Sequence, residues 1–409
     1  MTTLILLVFV AVYIGMAVGR WPGLRIDRTG IALLGAIVLY AAGAVPGAGM
    51  LASIDFPTIV ILFGLMILSA QFAACGFYDW CSTKIATARI APATLLAVTV
   101  ATAGILSAIL ANDVVVFAMT PLLCAGLARR GLDPRPFVIA LAGGANAGSA
   151  ATIIGNPQNI LIGEVGDLDF WSFLAACAPP ALAGLACVYL VVWWRWRRRF
   201  EAGLNPMGDA SAPALDRLGL AKALFATFLL LVLFATPLPH VEGVLLVAGY
   251  LLISRRLATR TMLGVVDWHL LVLFGGLFVV TDALSSTGLP DRAMTWLIAS
   301  GLDAGSLAVL TPLTLLGANT IGNVPLVVLL LAVFPTLSEG AYYALAVLST
   351  LAGNLLVVGS LANIIAVERA RDAGVFLSFA EHARCGVPIT LLSLLLALAW
   401  LYGVGHVGA

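Results

Sequence analysis

The stretch Ala111-Asn112-Asp113-Val114, together with Gly155-Asn156-Pro157-Gln158-Asn159-Ile160, interrupts the apolar runs of the first half of the chain. The second half carries an echo, Gly322-Asn323-Val324-Pro325 and Gly359-Ser360-Leu361-Ala362-Asn363-Ile364. In each copy an apolar run breaks at an Asn-bearing tip, resumes, and breaks again at a Gly-containing turn. Backbone exposed to lipid tolerates no such breaks, because each unpaired N–H or C=O in hydrocarbon is costly. They persist only where they face protein or a polar cavity, and matched breaks in two halves point to a transporter's binding site.

Composition sets the solvent. Apolar residues make up 62% of the 409 and charged residues 10%, with a mean hydropathy of +1.08. Soluble chains average roughly half and a quarter, so an integral membrane protein is the class that fits. A net charge of +1 gives no footprint for nucleic acid, and none is expected as a partner. Cys75, Cys81, Cys124, Cys177, Cys187 and Cys385 are scattered without a Cys-x-x-Cys, and His240, His269, His382 and His406 lie far apart. Neither a disulfide framework nor a metal centre is therefore expected, nor a resident cofactor. No Walker loop, nucleophile elbow or H-E-x-x-H occurs, which argues against ATP-driven pumping and hydrolysis; the chain does not read as an enzyme.

Apolar runs near 20 residues long predict spanning helices at about 2–19, 29–45, 56–75, 137–163, 172–193, 218–236, 241–254, 268–287, 341–367 and 386–404. Segments 92–128 and 303–336 read as re-entrant hairpins, since their return arms, 114–128 and 324–335, are short for a span and carry Pro121 and Pro325. The fold class is thus all-α and integral to the membrane, with about ten spans plus two hairpins.

The charge pattern orients this layout. Residues 1–19 have no Lys or Arg in front and Arg20, Arg25 and Arg28 behind, so they read as a first span with its N-terminus outside, not as a cleavable signal. The layout gathers 20 of the 21 basic residues, all but Arg292, on the cytoplasmic side. Both termini then face outside, and membrane lipid is the surrounding partner. The long polar connection 195–216 follows Trp193-Trp194-Arg195-Trp196-Arg197-Arg198-Arg199, an aromatic and basic anchor for a helix end, and goes on through Asn205, Pro206, Gly208 and Asp209.

Internal symmetry divides the chain into a repeat at 1–194, a linker at 195–216 and a repeat at 217–409. Ile54-Asp55-Phe56 is echoed by Val266-Asp267-Trp268, and Gly155, Asn159, Ile160 and Glu164 match Gly359, Asn363, Ile364 and Glu368 at a constant offset of 204. Five spans and one hairpin per half make the second repeat inverted, the architecture of secondary transporters.

The stretches 111–121, 148–160, 322–326 and 358–365, which contain these breaks, resemble the arsenite permease and sodium/proton antiporter family of the ion-transporter superfamily. Bacterial members sit in the inner membrane and move small anions or sodium. The resemblance extends to divalent-anion/sodium symporters, which implies a homodimer with a scaffold part and a mobile elevator part. Their hairpin tips carry Ser-Asn-Thr. Asn112 and Asn323 occupy the central Asn, while Ala111 and Asp113, and Gly322 and Val324, depart from the flanking pair. That departure argues for a different coupling ion or fewer ions than in the symporters.

The expected site follows. Helices restarting after Asn112, Gly155, Asn323 and Gly359 bring unpaired N–H groups and partial positive charge to an anion. The expected lining is Asn112, Asp113, Gly155, Asn156, Pro157, Asn159, Asn323, Gly359, Ser360 and Asn363, with Asn146, Thr152, Asn319, Asn354 and Asp282 as a second tier. The simpler alternative is that the asparagines only cap broken helices. Asp113 is the candidate to take up a sodium ion or a proton, because an ionised, unpaired carboxylate at membrane depth is costly. The expected function is a cation-coupled secondary transporter of a small anion across the inner membrane. A sodium/proton antiporter and a passive anion channel are the alternatives.

Overall fold

The computed structural model describes every residue except 20, 22, 46, 201–213, 335, 408 and 409, and at 48 the backbone only. Arg20 and the linker residues Asn205, Pro206, Gly208 and Asp209 lie outside the described residues. The first half runs α1 (Thr2–Val18), α2 (Arg28–Ala41), α3 (Gly47–Ala52), α4 (Phe56–Ala74), α5 (Phe77–Thr87), α6 (Pro92–Ile109), α7 (Asn112–Arg129), α8 (Arg135–Ser149), α9 (Pro157–Val165) and α10 (Phe170–Phe200). The second follows the same order: α11 (Arg217–Leu233), α12 (His240–Leu252), α13 (Thr259–Leu263), α14 (Trp268–Ser285), α15 (Leu289–Ala299), α16 (Leu307–Ile321), α17 (Asn323–Val333), α18 (Glu339–Ala352), α19 (Leu361–Asp372) and α20 (Phe379–Gly403). The fold is all-helical.

Local chemistry repeats with the order. Asp55 caps α4 by accepting from the Thr58 N–H at 2.9 Å, and Asp267 caps α14 by accepting from Leu270 at 3.0 Å. Gly76 and Gly288, both left-handed at φ 75° and 68°, then turn the chain into α5 and α15. These two short helices lie outside the spans and hairpins expected from the sequence. They are eleven residues each and carry charges in their first turns, Asp79 and Asp291, so no spanning run marks them.

The halves interlock crosswise. α2 packs on α14 and α12 packs on α4, and α10 lies along α20. A Cβ on Gly64 would strike Val244, and one on Gly276 would meet the Ala32 backbone at 2.8 Å. Small residues let helices approach closely where lipid gives no hydrophobic drive to pair them. At the centre stand α8 and α18, buried from Pro136 to Ser149 and from Gly340 to Ala352.

Several predicted bounds change. The linker's first residues, 195–200, belong to α10, a helix of 31 residues. The first hairpin's return arm, α7, is 18 residues long, runs through Pro121, and is long and apolar enough to cross a membrane, as is α6. Arm length therefore does not mark this segment as a hairpin. α6 runs alongside α8, and its Ala108 and Gly104 lie against Thr152 and Gly148, where α8 ends. The chain turns back there, level with the break, while α9 carries on beyond it. In the second half α16 and α17 are 15 and 11 residues, and Pro325 sits in the first turn of α17, where its missing N–H costs nothing.

Candidate functional site: two broken helices tied across the repeat

Each broken helix restarts by a different cap. Asn156 is extended at φ −152° and its Oδ1 accepts from the Asn159 N–H at 2.9 Å, with Pro157 next in the first turn. Ser360 occupies the matching place at φ −144° but makes no cap; its hydroxyl donates instead to Asn146 Oδ1 at 2.8 Å. Three turns of logic then recur at the offset of 204. Asn159 Nδ2 donates to the Ser149 and Thr152 carbonyls at 3.2 and 3.0 Å, and Asn363 Nδ2 to those of Gly353 and Leu356 at 2.8 and 3.2 Å. Asn146 Nδ2 donates to Asn363 Oδ1 at 3.2 Å, and Thr350 Oγ1 to Asn159 Oδ1 at 3.4 Å. Asn156 Nδ2 donates to Thr350 Oγ1 at 3.2 Å, the counterpart of the Ser360–Asn146 bond.

Asn146 is the hub. Its amide also donates to Asn354 Oδ1 at 2.9 Å, and its oxygen accepts from Asn112 Nδ2 at 3.5 Å. Gln158 Nε2 adds a bond to Thr350 Oγ1 at 3.1 Å. All of these side chains are buried. A buried polar network of this kind fixes one arrangement of the two broken helices, because each member lost leaves hydrogen-bonding groups of its neighbours unpaired.

The glycines make room for this. A Cβ on Gly155 would fall into the Ser149 backbone, and one on Gly359 would strike Asn319 Oδ1 and stand 2.8 Å from the Gly353 carbonyl. At the first tip the Asn112 N–H donates to the Gly155 carbonyl at 3.3 Å, so α7 and α9 begin side by side. Asn112 Oδ1 is buried without a hydrogen-bond partner among the described residues. Thr152 fastens the same tip, donating to the Ala108 carbonyl at 2.5 Å.

The second tip is built differently. Gly322 has φ 96°, a conformation that a side chain would strain, which accounts for glycine where the first tip has alanine. Asn323 was predicted as the counterpart of Asn112, yet its Oδ1 accepts from the Val324 N–H at 3.0 Å, within its own first turn. Asn319 ties this tip to its break, donating to the Ala352 carbonyl at 2.9 Å and accepting from the Leu356 N–H at 3.1 Å.

Two cavities flank the network. One of about 520 Å3 is lined by Asp113, Asn156, Pro157 and Ile160 together with Asp267, Trp268 and His269 of the α14 start. The Asp113 carboxylate makes no hydrogen bond or ion pair among the described residues. The other, about 590 Å3, lies at the second break, with Val357, Leu361 and Ile364 facing Arg28, His269, Glu368 and Arg371. Among the described residues no three His, Cys, Asp or Glu gather as a metal site would.

Asp282 is not brought to this place. It sits near the far end of α14 and accepts from the Ser53 hydroxyl at 2.6 Å. The sequence reading missed Ser149, Gln158 and Thr350, and it passed over Arg28 and Asp267. Thr350 was findable, since it stands 204 residues after Asn146, although the two residue types differ.

The comparisons agree with this architecture. Over 98% of this chain and 97% of the other, the fold matches the solved structure of the YdaH transporter of Alcanivorax borkumensis, with a TM-score of 0.57 and 14% identity. The chain is 32% identical to the inner membrane protein YbiR of Escherichia coli over 80% of its length and 83% of that protein's. It is 29% identical to the silicon efflux transporter LSI3 of rice, Oryza sativa subsp. japonica, over 91% of each. Residues 4–343 match the citrate transporter family, CitMHS. The chain therefore belongs to the citrate transporter family of the ion-transporter superfamily, and is a membrane transport protein.

Proposed function

We propose that this chain is a cation-coupled secondary transporter of a small anion, working in a bacterial inner membrane with both termini outside. The observation that carries the reading is the first cavity, where the unpartnered Asp113 stands beside the paired N-termini of α7 and α9. A sodium ion or proton on Asp113 removes the repulsion an anion would feel there, so cation and anion are taken up together. The anion is received by helix N-termini and amides. Arg28 and Arg371 in the second cavity attract it without sitting in the buried network. Under the basic-residue orientation both cavities lie on the cytoplasmic side. Movement of hairpins and broken helices against the other helices, in a homodimer, then exposes the site on the opposite face.

The family's name makes citrate the first substrate to try, and the rice relative's name makes silicic acid the neutral control. Purified protein in liposomes, with a sodium or proton gradient imposed, should accumulate the anion above equilibrium. Downhill flux alone would make it a channel. Sodium/proton exchange is the second reading, favoured by Asp113 and Asp267 sharing a cavity that no Lys or Arg lines. It requires sodium-driven proton movement with no anion present.

A further inference from the structure

The aromatic and basic end of α10 forms a built cluster with the start of α20, which the transport site does not use. Trp196 is buried, with the Arg135 guanidinium 5.4 Å from its ring centre and that of Arg199 at 4.8 Å. Arg135 is held by Asp133 at 2.7 Å and by Glu381 at 2.6 Å, while Arg199 reaches Asp133 at 3.4 Å. Glu381 is further engaged by the Ser378 N–H and hydroxyl, in a capping box. The two acids are thus occupied. Arg195 and Arg384 make no ion pair among the described residues, yet both line, with Trp196, Arg199 and Glu381, a cleft of about 60 Å3.

Below the cleft the two helices turn apolar outward. Leu190 and Trp194 of α10, and Val387, Leu391 and Leu395 of α20, are exposed in the chain alone. A cleft with unpaired guanidiniums at the edge of such a surface matches a phospholipid: phosphate in the cleft, acyl chains along the helices. A headgroup with net negative charge answers the excess of arginine over acid better than a zwitterionic one. We infer that the cleft of Arg195, Arg199 and Arg384 binds the headgroup of an anionic phospholipid, joining the ends of α10 and α20.

The test uses the full chain in phosphatidylcholine nanodiscs containing a minority of phosphatidylglycerol, with retained lipid counted by native mass spectrometry. The triple variant Arg195→Gln/Arg199→Gln/Arg384→Gln should lose retained phosphatidylglycerol by about tenfold or more. Arg197→Gln/Arg198→Gln, exposed at the same helix end but outside the cleft, should retain it. Should the triple variant not fold, Arg384→Gln alone decides, and should lower retention by about threefold or more. Equal loss in the 197/198 variant, or equal retention of phosphatidylcholine by the unaltered protein, would overturn the inference in favour of diffuse surface charge. Protection against thermal unfolding by inorganic phosphate alone, matching that by phosphatidylglycerol, would overturn it in favour of a free-anion site.

Discussion

The Asn146 amide donates across the repeat to Oδ1 of Asn363, 3.2 Å away, and so holds the second broken helix from the first. The reverse bond, from Thr350 to Asn159, holds the first from the second. Each break is therefore set by a residue from the opposite half, and neither half holds the complete network alone.

Removing the hub takes the Asn146 donor from Oδ1 of Asn354 and Asn363, and the Asn146 acceptor from the Ser360 hydroxyl, all at once. Asn146→Ala should lower stability by about 1–3 kcal/mol, read as thermal unfolding in detergent. Asn146→Thr, which makes the first half resemble the second, should cost less. A variant as stable as the parent would reduce the network to incidental contacts.

The two tip asparagines should separate. Asn112 bridges to Asn146 and, through its backbone, to Gly155, while among the described residues the Asn323 side chain bonds only within its own turn. Asn112→Ala should reduce uptake by about tenfold or more, a loss of order 1–2 kcal/mol, and Asn323→Ala by clearly less. Equal losses would restore the symmetric roles predicted from sequence.

Glycine substitutions give a contrast within one protein. Gly155→Ala forces the Ser149 backbone aside, and Gly359→Ala displaces Asn319, so both should abolish transport or folding. A Cβ on Gly275, inside α14, meets nothing within 4 Å. Gly275→Ala should be neutral or stabilise by about 0.5–1 kcal/mol, checked by thermal unfolding beside uptake.

These contrasts show what the sequence could convey. The breaks at Gly155 and Gly359 were legible because an apolar run cannot hide them, and the fold class followed from run length and charge. The network was not, since hydrogen bonds between residues about 200 apart leave no local pattern. Position 146 is Asn and its counterpart Thr350, and identity matching passes over such a pair although both donate to the same acceptor type. The equal lengths of α6 and α7 also escaped, because Asn112, expected at a tip ahead of an arm over 114–128, itself begins the helix.

One corner outside the membrane responds to acid. Burial pushes the Asp133 carboxyl up, but hydrogen bonds and charge from Arg135, with Arg199 adding, outweigh it and hold it below the ordinary range. Its stabilising effect is present above the unfolded value of about 3.9 and is lost as pH falls through the lower folded value. Asp133→Asn should therefore destabilise at neutral pH and lose that difference in strong acid. A difference that persists below the folded value would contradict the pairing.

The coupling role of Asp113 is tested most directly by Asp113→Asn in liposomes, which keeps shape and removes the charge. Labelled citrate uptake under an imposed sodium or proton gradient is compared with exchange at equal substrate on both sides, with phosphate and sulfate run in parallel. The account predicts that the variant exchanges substrate but does not accumulate it, while the parent does both. Accumulation by the variant with unchanged sodium and pH dependence would contradict it.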